Sequence, residues 1–459
     1  MSKTFIGGVH PPESKEYSEE RAIQRLDAPE IAYIPLSQHI GAPAKPVVEK
    51  GVRVLLGQTI GEAGGFVSVP VHASVAGKVA KIDLHPHSVT GKLEPTIIIE
   101  NDGTDERAAE LKSYGDNWDN IEPDTIRNIA QAAGLAGMGG ATFPTHVKLS
   151  PPPNKQIDTV FLNGAECEPF LTADHRLMLE YPDDILNGLR LIAKTLDAKR
   201  LVVCIEMNKP DAIELMSDKV RGTEIEVIPL KVKYPQGAEK QMIYAVTGRE
   251  VPSGGLPFDV GCLVQNVGTA KALFDAVANG IPLYQRVVTV SGPIVKNPSN
   301  LMARIGTPYK TLIDACGGAT EEVYKIISGG PMMGIAQFTD EVAIIKGTSG
   351  IVLFGADDAH SREELPCINC AKCVDVCPAF LMPTRIAACA EYGNIEMADK
   401  LGALDCIECG SCAFICPSDR KLLHYIRWAK NAVWAKRAQE KAEAEAKKEE
   451  KEKSTESTE

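Results

Sequence analysis

Residues 367–417 constrain this chain more than any other stretch. They read CINCAKCVDVCP and, after a spacer containing PTRIAACAEYGN from Pro383, CIECGSCAFICP. Each run sets three cysteines at intervals of three, a fourth after a further four residues, and a proline directly behind that fourth. Three thiolates on so tight a loop can grip three iron corners of a cubane only if the backbone curls around it, and the fourth corner has to be closed from a distance. Paired CxxC units also make zinc sites, but zinc takes four ligands and leaves the extra cysteine and proline of each run unused. Disulfide frameworks belong to secreted chains. Cys389, in the spacer, fits neither run and reads as an ordinary buried thiol. Cys167, Cys204, Cys262 and Cys316 are scattered.

The spacing resembles that of two-cluster bacterial ferredoxins, in which the fourth cysteine of each run serves the other cluster. The resemblance implies one [4Fe-4S] cluster on Cys367, Cys370, Cys373 and Cys416, and a second on Cys406, Cys409, Cys412 and Cys377.

Around that stretch there is room for three or four domains, since 459 residues exceed what one core holds. A formal charge of -12 excludes a nucleic-acid surface, which needs concentrated positive charge. No segment approaches the roughly 18 uninterrupted apolar residues of a membrane span. The start, MSKTFIGGVHPPESKEYSEE, has no signal-peptide core, so the expectation is a chain kept in the reducing cytoplasm, with membrane contact only through partners.

In chain order, an irregular leader precedes short β-type segments over 31–100: IAYIPL, VRVLLGQTI, FVSVPV, GKVAKIDL and PTIIIE. Two of these stretches, VVEKGVRVLLGQTIGEA and ASVAGKVAKI, resemble the half-repeats of biotinyl and lipoyl carriers, the barrel-sandwich hybrid. The carrier lysine is missing, because Thr59–Val71 contains none, so the unit reads as structural or docking. His72, His85 and His87 read as solvated loop residues rather than metal ligands. From Pro123 a helix leads into strands and helices in alternation, which predicts a parallel α/β sheet with ligands at the strand carboxyl ends. A hairpin, helix and strand unit follows Arg286. After Lys421, Leu422, Ile426, Ala429 and Val433 form one helical stripe, with packing against the cluster domain favoured over membrane docking of Trp428 and Trp434. The Ala/Glu/Lys tail reads as a solvated helix fraying into disorder.

Glycines 134, 137, 139 and 140 follow the first helix, where missing Cβ atoms let backbone amides approach a phosphate or a flavin ring. NGAECEP, with Asn163, Glu166 and Glu168 at a strand end, converges with it, as do YPQGAEK and LVQNVGT.

These stretches carry a second resemblance. GLAGMGGATFPTHVK, FLNGAECEP, YPQGAE and QNVGT look like the flavin and nucleotide segments of the flavoprotein subunit of respiratory complex I, and the Arg286 unit looks like its SLBB β-grasp domain. The leader GGVHPPESK, the stretch PLSQHIGAPA and the paired cysteine runs resemble more closely the family of C subunits of the Rnf complex, an ion-translocating ferredoxin:NAD oxidoreductase. The fold this implies is multidomain α/β. It comprises a leader and barrel-sandwich hybrid (1–110), a Rossmann-like FMN/NAD domain (121–280), an SLBB domain (284–355), an α-helical ferredoxin-type domain with two [4Fe-4S] clusters (360–435) and a disordered charged tail (436–459).

The resemblance further implies that Gly137, Gly139, Gly140, Lys148, Asn163, Tyr234, Gly237, Asn266 and Thr269 contact FMN. Phe143, Glu168 and Glu239 would hold NAD(H), with the phenyl ring stacking and the carboxylates receiving hydroxyls. Ala165, Cys167 and Ala238 stand where the complex I flavoprotein has an acid, a serine and a glutamate. The expected activity is electron exchange between NAD(H), FMN and the two clusters, on the cytoplasmic face of the membrane. Partner subunits pump the ion and pass electrons from ferredoxin. A microcompartment cobalamin-reducing flavoprotein shares several parts but begins at the nucleotide domain. A cluster-carrying adaptor without nucleotide is the remaining alternative.

Overall fold

The computed structural model describes residues 3–359 and 363–456, with side chains as far as residue 444. The chain divides into two compact units, residues 1–4 with 10–360 and residues 5–9 with 361–459.

Three modules make up the larger unit. The first contains an antiparallel sheet in the order Ile31–Pro35, Leu93–Asn101, Gly77–Pro86 and Arg53–Val54. A smaller sheet joins Lys45–Pro46, Thr59–Glu62 and Val71–His72. Alternate residues Ala32, Ile34, Ile97 and Ile99 point into one core with Val54, Ile60, Val71 and Val79, as period-two patterning requires. The histidines differ from the solvated reading. His72 and His87 are buried, and His87 donates to Ser37 O (2.7 Å), while His85 stacks on Tyr33.

A four-stranded parallel sheet organises the second module, in the order Ile225–Leu230, Arg200–Glu206, Thr159–Gly164, Cys262–Asn266. Its two inner strands, Arg200–Glu206 and Thr159–Gly164, carry apolar runs without alternation because both faces are covered. Val160, Leu162, Leu201, Val203 and Ile205 meet helices Pro123–Ala132, Pro182–Leu196 and Val267–Asn279. Phe161, Val202, Cys204 and Val264 face helix Glu239–Thr247 on the other side. The chain moves outward from Thr159–Gly164 through two strands and then returns to its opposite side as Cys262–Asn266. Where strand order reverses in such a sheet, the carboxyl ends leave a crevice. Asn163 and Asn266 are register partners there.

The third module is a six-stranded mixed sheet containing the antiparallel hairpin Gln285–Ser291/Ser299–Arg304, backed by helix Tyr309–Ala315. Its edge is unexpected. Ile23–Arg25, from the leader read as irregular, pairs in parallel with Ser299–Arg304. Three residues separated from their partners by most of the chain carry no local signal.

In the smaller unit, helices Pro383–Glu391 and Leu422–Glu456 bury Ile386, Ala387, Ala390, Leu422, Ile426 and Ala429. The predicted stripe is therefore a packing stripe. Trp428 and Trp434 lie on the exposed side. Residues 5–9 belong to this unit, with Gly8 N donating to Val376 O at 2.8 Å. The Ala/Glu/Lys segment, read as a solvated helix fraying into disorder, is helical through Glu456, while 457–459 lie outside the described residues. Ala, Glu and Lys are strong helix formers, and pairs such as Lys436 with Glu440 (3.9 Å) support a solvated helix.

Candidate functional site

At the carboxyl edge of the parallel sheet four segments converge. The glycine loop is pinched shut at its base, since Gly137 N donates to Phe143 O at 2.9 Å. Met138 N donates to Thr269 Oγ1 at 2.9 Å, tying the loop to the first turn of helix Val267–Asn279. Asn266 caps that helix, its Oδ1 accepting from Gly268 N (2.8 Å) and Thr269 N (3.3 Å). A Cβ on residue 139 would stand 2.8 Å from Asn266 Nδ2, so only glycine allows this approach. Gly140, at φ +96, opens onto space. The amides of Gly139 and Gly140 donate to no acceptor among the described residues. This is a cradle that side chains would fill, with donors left over for an anion, and it fits a phosphate-bearing flavin nucleotide.

Strand Thr159–Gly164 delivers the second segment. Asn163 Nδ2 donates to Gly237 O at 2.8 Å, and Gly237 N approaches Cys167 Sγ at 3.3 Å. Lys148 pairs with Glu239 and donates to Val264 O at 2.9 Å. The thirteen cofactor residues expected from sequence thus fall on neighbouring loops, Gly137 to Lys148, Asn163 to Glu168, Tyr234 to Glu239, and Asn266 to Thr269.

Two of the carboxylates expected at the cofactor, Glu168 and Glu166, have partners within the protein. Glu168 accepts from Met332 N (3.0 Å), Met333 N (2.8 Å) and Tyr234 OH (3.3 Å), so it binds a turn of the third module. Burial pushes its carboxyl up, against the pull of those amides. Glu166 turns its carboxylate onto Asp174 N (2.7 Å) and His175 N (3.2 Å), at the start of helix Ala173–Glu180.

Several residues were not singled out from sequence. Lys15, from the leader, donates to three carbonyls of the Glu166–Leu171 turn. Asp174 accepts from Asn266 Nδ2 at 2.6 Å, and burial together with nearby Glu166 raises it to about 7. Arg286 donates to Met138 O (3.2 Å) behind the glycine loop. Lys346 is buried with its ammonium on Pro70 O (2.8 Å) and Gly134 O (2.7 Å), and burial lowers it to about 7. The one available signal lay in GGVHPPESK, which contains Lys15.

In the smaller unit the cysteines stand around two cavities. Cys367, Cys370, Cys373 and Cys416 line one, and Cys377, Cys406, Cys409 and Cys412 line the other. The fourth cysteine of each run faces the other run's cavity, as the ferredoxin pattern requires. Equivalent loop positions adopt the left-handed conformation in both runs, Asn369 (φ 55) with Glu408 (φ 58) and Ala371 (φ 61) with Gly410 (φ 76). This curl turns Asn369 N and Glu408 N onto Cys367 Sγ and Cys406 Sγ at 3.4 Å, and hydrogen bonds to sulfur tune cluster potential. Among the described residues no three His, Cys, Asp or Glu are arranged to hold a metal ion as they stand. Each set surrounds a cavity with four thiols, the ligand number of a [4Fe-4S] cubane. Cys389 lines neither cavity, and all thirteen cysteines are free thiols.

A flavin-type cradle on a parallel α/β sheet and two cross-wired four-cysteine sets define an electron-transfer flavoprotein of the iron–sulfur class. Four family models match in order: the RnfC barrel sandwich hybrid domain (residues 3–104), the Nuo51 FMN-binding domain (130–275), the SLBB domain (287–336) and a 4Fe-4S dicluster domain (360–417). The C subunit of the proton-translocating ferredoxin:NAD(+) oxidoreductase complex of Clostridium ljungdahlii is 49% identical, over 96% of each chain. Its Na(+)-translocating counterpart in Acetobacterium woodii is 48% identical, over 95% of this chain and 98% of that one. The C subunit of the ion-translocating oxidoreductase complex of Rhodobacter capsulatus is 40% identical, over 88% and 78%. In fold, a chain of an NAD+-reducing [NiFe]-hydrogenase matches 69% of this chain and 63% of its own length, with TM-score 0.50 and 17% identity. The chain belongs to the family of C subunits of ion-translocating ferredoxin:NAD(+) oxidoreductase complexes.

Proposed function

We propose that this chain joins hydride exchange with NAD(H), at the crevice beside Asn163 and Asn266, to one-electron exchange at its two cysteine sets. It would do so reversibly, within a complex whose other subunits move the ion and pass electrons from ferredoxin. The observation that carries the reading is the coexistence, in one chain, of the glycine cradle over the sheet's switch point and the cross-wired cysteines. When bound, FMN exchanges two electrons with a nicotinamide and single electrons with iron–sulfur clusters, which is why this pair of sites belongs together.

The chain's own residues position and shield. In this reading the amides of Gly139 and Gly140 hold the FMN phosphate, and Gly137, Lys148, Asn163, Tyr234, Gly237, Asn266 and Thr269 line the flavin. Phe143 stacks on the nicotinamide nucleotide beside Glu239. Glu168 acts through the SLBB turn it holds, and Glu166 through the helix it caps. No side chain is needed as acid or base. Cys367, Cys370, Cys373 and Cys416 hold one [4Fe-4S] cluster, and Cys377, Cys406, Cys409 and Cys412 the other.

The module boundaries we adopt are 1–110, 121–280, 284–355 and 360–435. Among the described residues no helix is long and apolar enough to cross a membrane, and the chain joins its membrane complex peripherally. Its free thiols support the cytoplasmic face. Anaerobic reconstitution of the full chain with iron, sulfide and FMN tests the reading. Flavin absorbance and NADH-driven reduction of an artificial acceptor are expected, and the absence of both leaves only a cluster-carrying adaptor.

A further inference from the structure

Lys15 is the side chain of the leader motif that is buried in the α/β module. Lys15 is 4% exposed, and its Nζ donates to the carbonyls of Glu166 (2.8 Å), Glu168 (3.1 Å) and Leu171 (2.7 Å). An ammonium has three protons, and all three are used on one turn. The fit is reinforced on either side, by Phe170 N on Glu13 O (3.0 Å) and by Ser18 Oγ against Thr172 Oγ1 (2.8 Å). A second buried ammonium, Lys209, donates to Ala165 O at 2.7 Å.

A trans peptide points its C=O and N–H in opposite directions. With the carbonyls of Ala165 and Glu166 fixed on two ammoniums, the N–H groups of Glu166 and Cys167 are turned to the other face of the turn. Neither reaches an acceptor among the described residues. Glu166 between them is left-handed at φ 48, a conformation disfavoured for a non-glycine residue and kept only where the surroundings over-determine it. Two successive amides about a left-handed residue make a concave donor pair that suits negative charge.

Building on the function proposed above, we infer that Lys15 is a positioning residue for the flavin and nucleotide site. It holds the Ala165–Glu168 turn so that the Glu166 and Cys167 amides are presented to the bound cofactor. The leader is then part of the reaction centre rather than a strap around the module. Lys15 adds a fixed positive charge behind those amides, which favours the electron-rich, reduced form of the flavin at no reorganisation cost.

The test compares the full chain with Lys15→Met and Lys15→Gln, all reconstituted anaerobically with FMN, iron and sulfide. Flavin midpoint potential, NADH affinity, iron content and melting temperature are read on each. Lys15→Met is expected to weaken NADH binding roughly tenfold, the scale of losing a charged hydrogen bond, and to move the flavin potential negative, with iron content unchanged. Lys15→Gln keeps a donor in the same space but not the charge, so it should move the potential negative while weakening NADH binding less. It decides the matter where the methionine variant does not fold. A folded variant with lowered melting temperature but the parent's potential and NADH affinity overturns the inference, since Lys15 would then be structural only. A parent that takes up no flavin would instead sink the functional reading.

Discussion

Glu168 reaches the amides of Met332 and Met333 only because residue 330 is glycine, where a Cβ would lie 2.3 Å from its Oε2. Glu168→Gln places an amide N–H against those donors, leaving at least one unsatisfied at about 1–3 kcal/mol. NADH-driven reduction should fall roughly tenfold on that scale while iron content holds, and loss of iron would show the residue supports something else. Asp174 makes a pH prediction. Its folded value of about 7 lies above the ordinary 3.8, so its contribution is favourable below about 4 and lost as pH rises through 7. Asp174→Asn keeps the contact with Asn266 through its carbonyl and should gain stability over the parent from pH 4 to 8 in denaturant melts. A difference that does not change with pH would contradict this. The glycines and Asn163 were singled out as members of motifs that occur together in order, since a glycine or an asparagine alone has many uses. Lys15, Asp174 and Arg286 were not, since a lone charged residue looks solvated until the fold buries it.

At the level of loops, the crossed pairing of the cysteines was expected from the resemblance to two-cluster ferredoxins, in which the fourth thiol of each run serves the other cluster. Cys416→Ser, although in the second run, should remove the cluster held by Cys367, Cys370 and Cys373, and half the iron with it. Loss of signal from the other cluster would refute the crossed arrangement. Helix packing is equally exacting. Gly188 lets helices Pro182–Leu196 and Val267–Asn279 touch, since a Cβ there would stand 2.0 Å from Ala270 O. Gly188→Ala should cost about 1–3 kcal/mol as overpacking, seen as a lowered melting temperature. Strands such as LVVCI could be read directly, because a run apolar on both faces has few alternatives. The pairing of Ile23–Arg25 with Ser299–Arg304 could not, since register across so much chain is set by tertiary packing.

Across the whole molecule, module order was readable because each module carries its own signature, from the strand-rich start to the cysteine runs. The leader was harder, being divided among tasks: residues 5–9 belong to the cluster-bearing unit, Lys15 to the nucleotide module and Ile23–Arg25 to the SLBB sheet. Each task uses a few residues, too few for periodicity to register. The proposed function stands on the coupling of hydride chemistry to single-electron chemistry within this one chain. Anaerobic titration of the purified, reconstituted chain with NADH, followed by visible absorbance and electron paramagnetic resonance, measures that coupling directly. The account predicts flavin reduction together with bleaching of the cluster absorbance and appearance of reduced-cluster signals. Flavin reduced by NADH beside clusters that remain oxidised, although dithionite can reduce them, would contradict it.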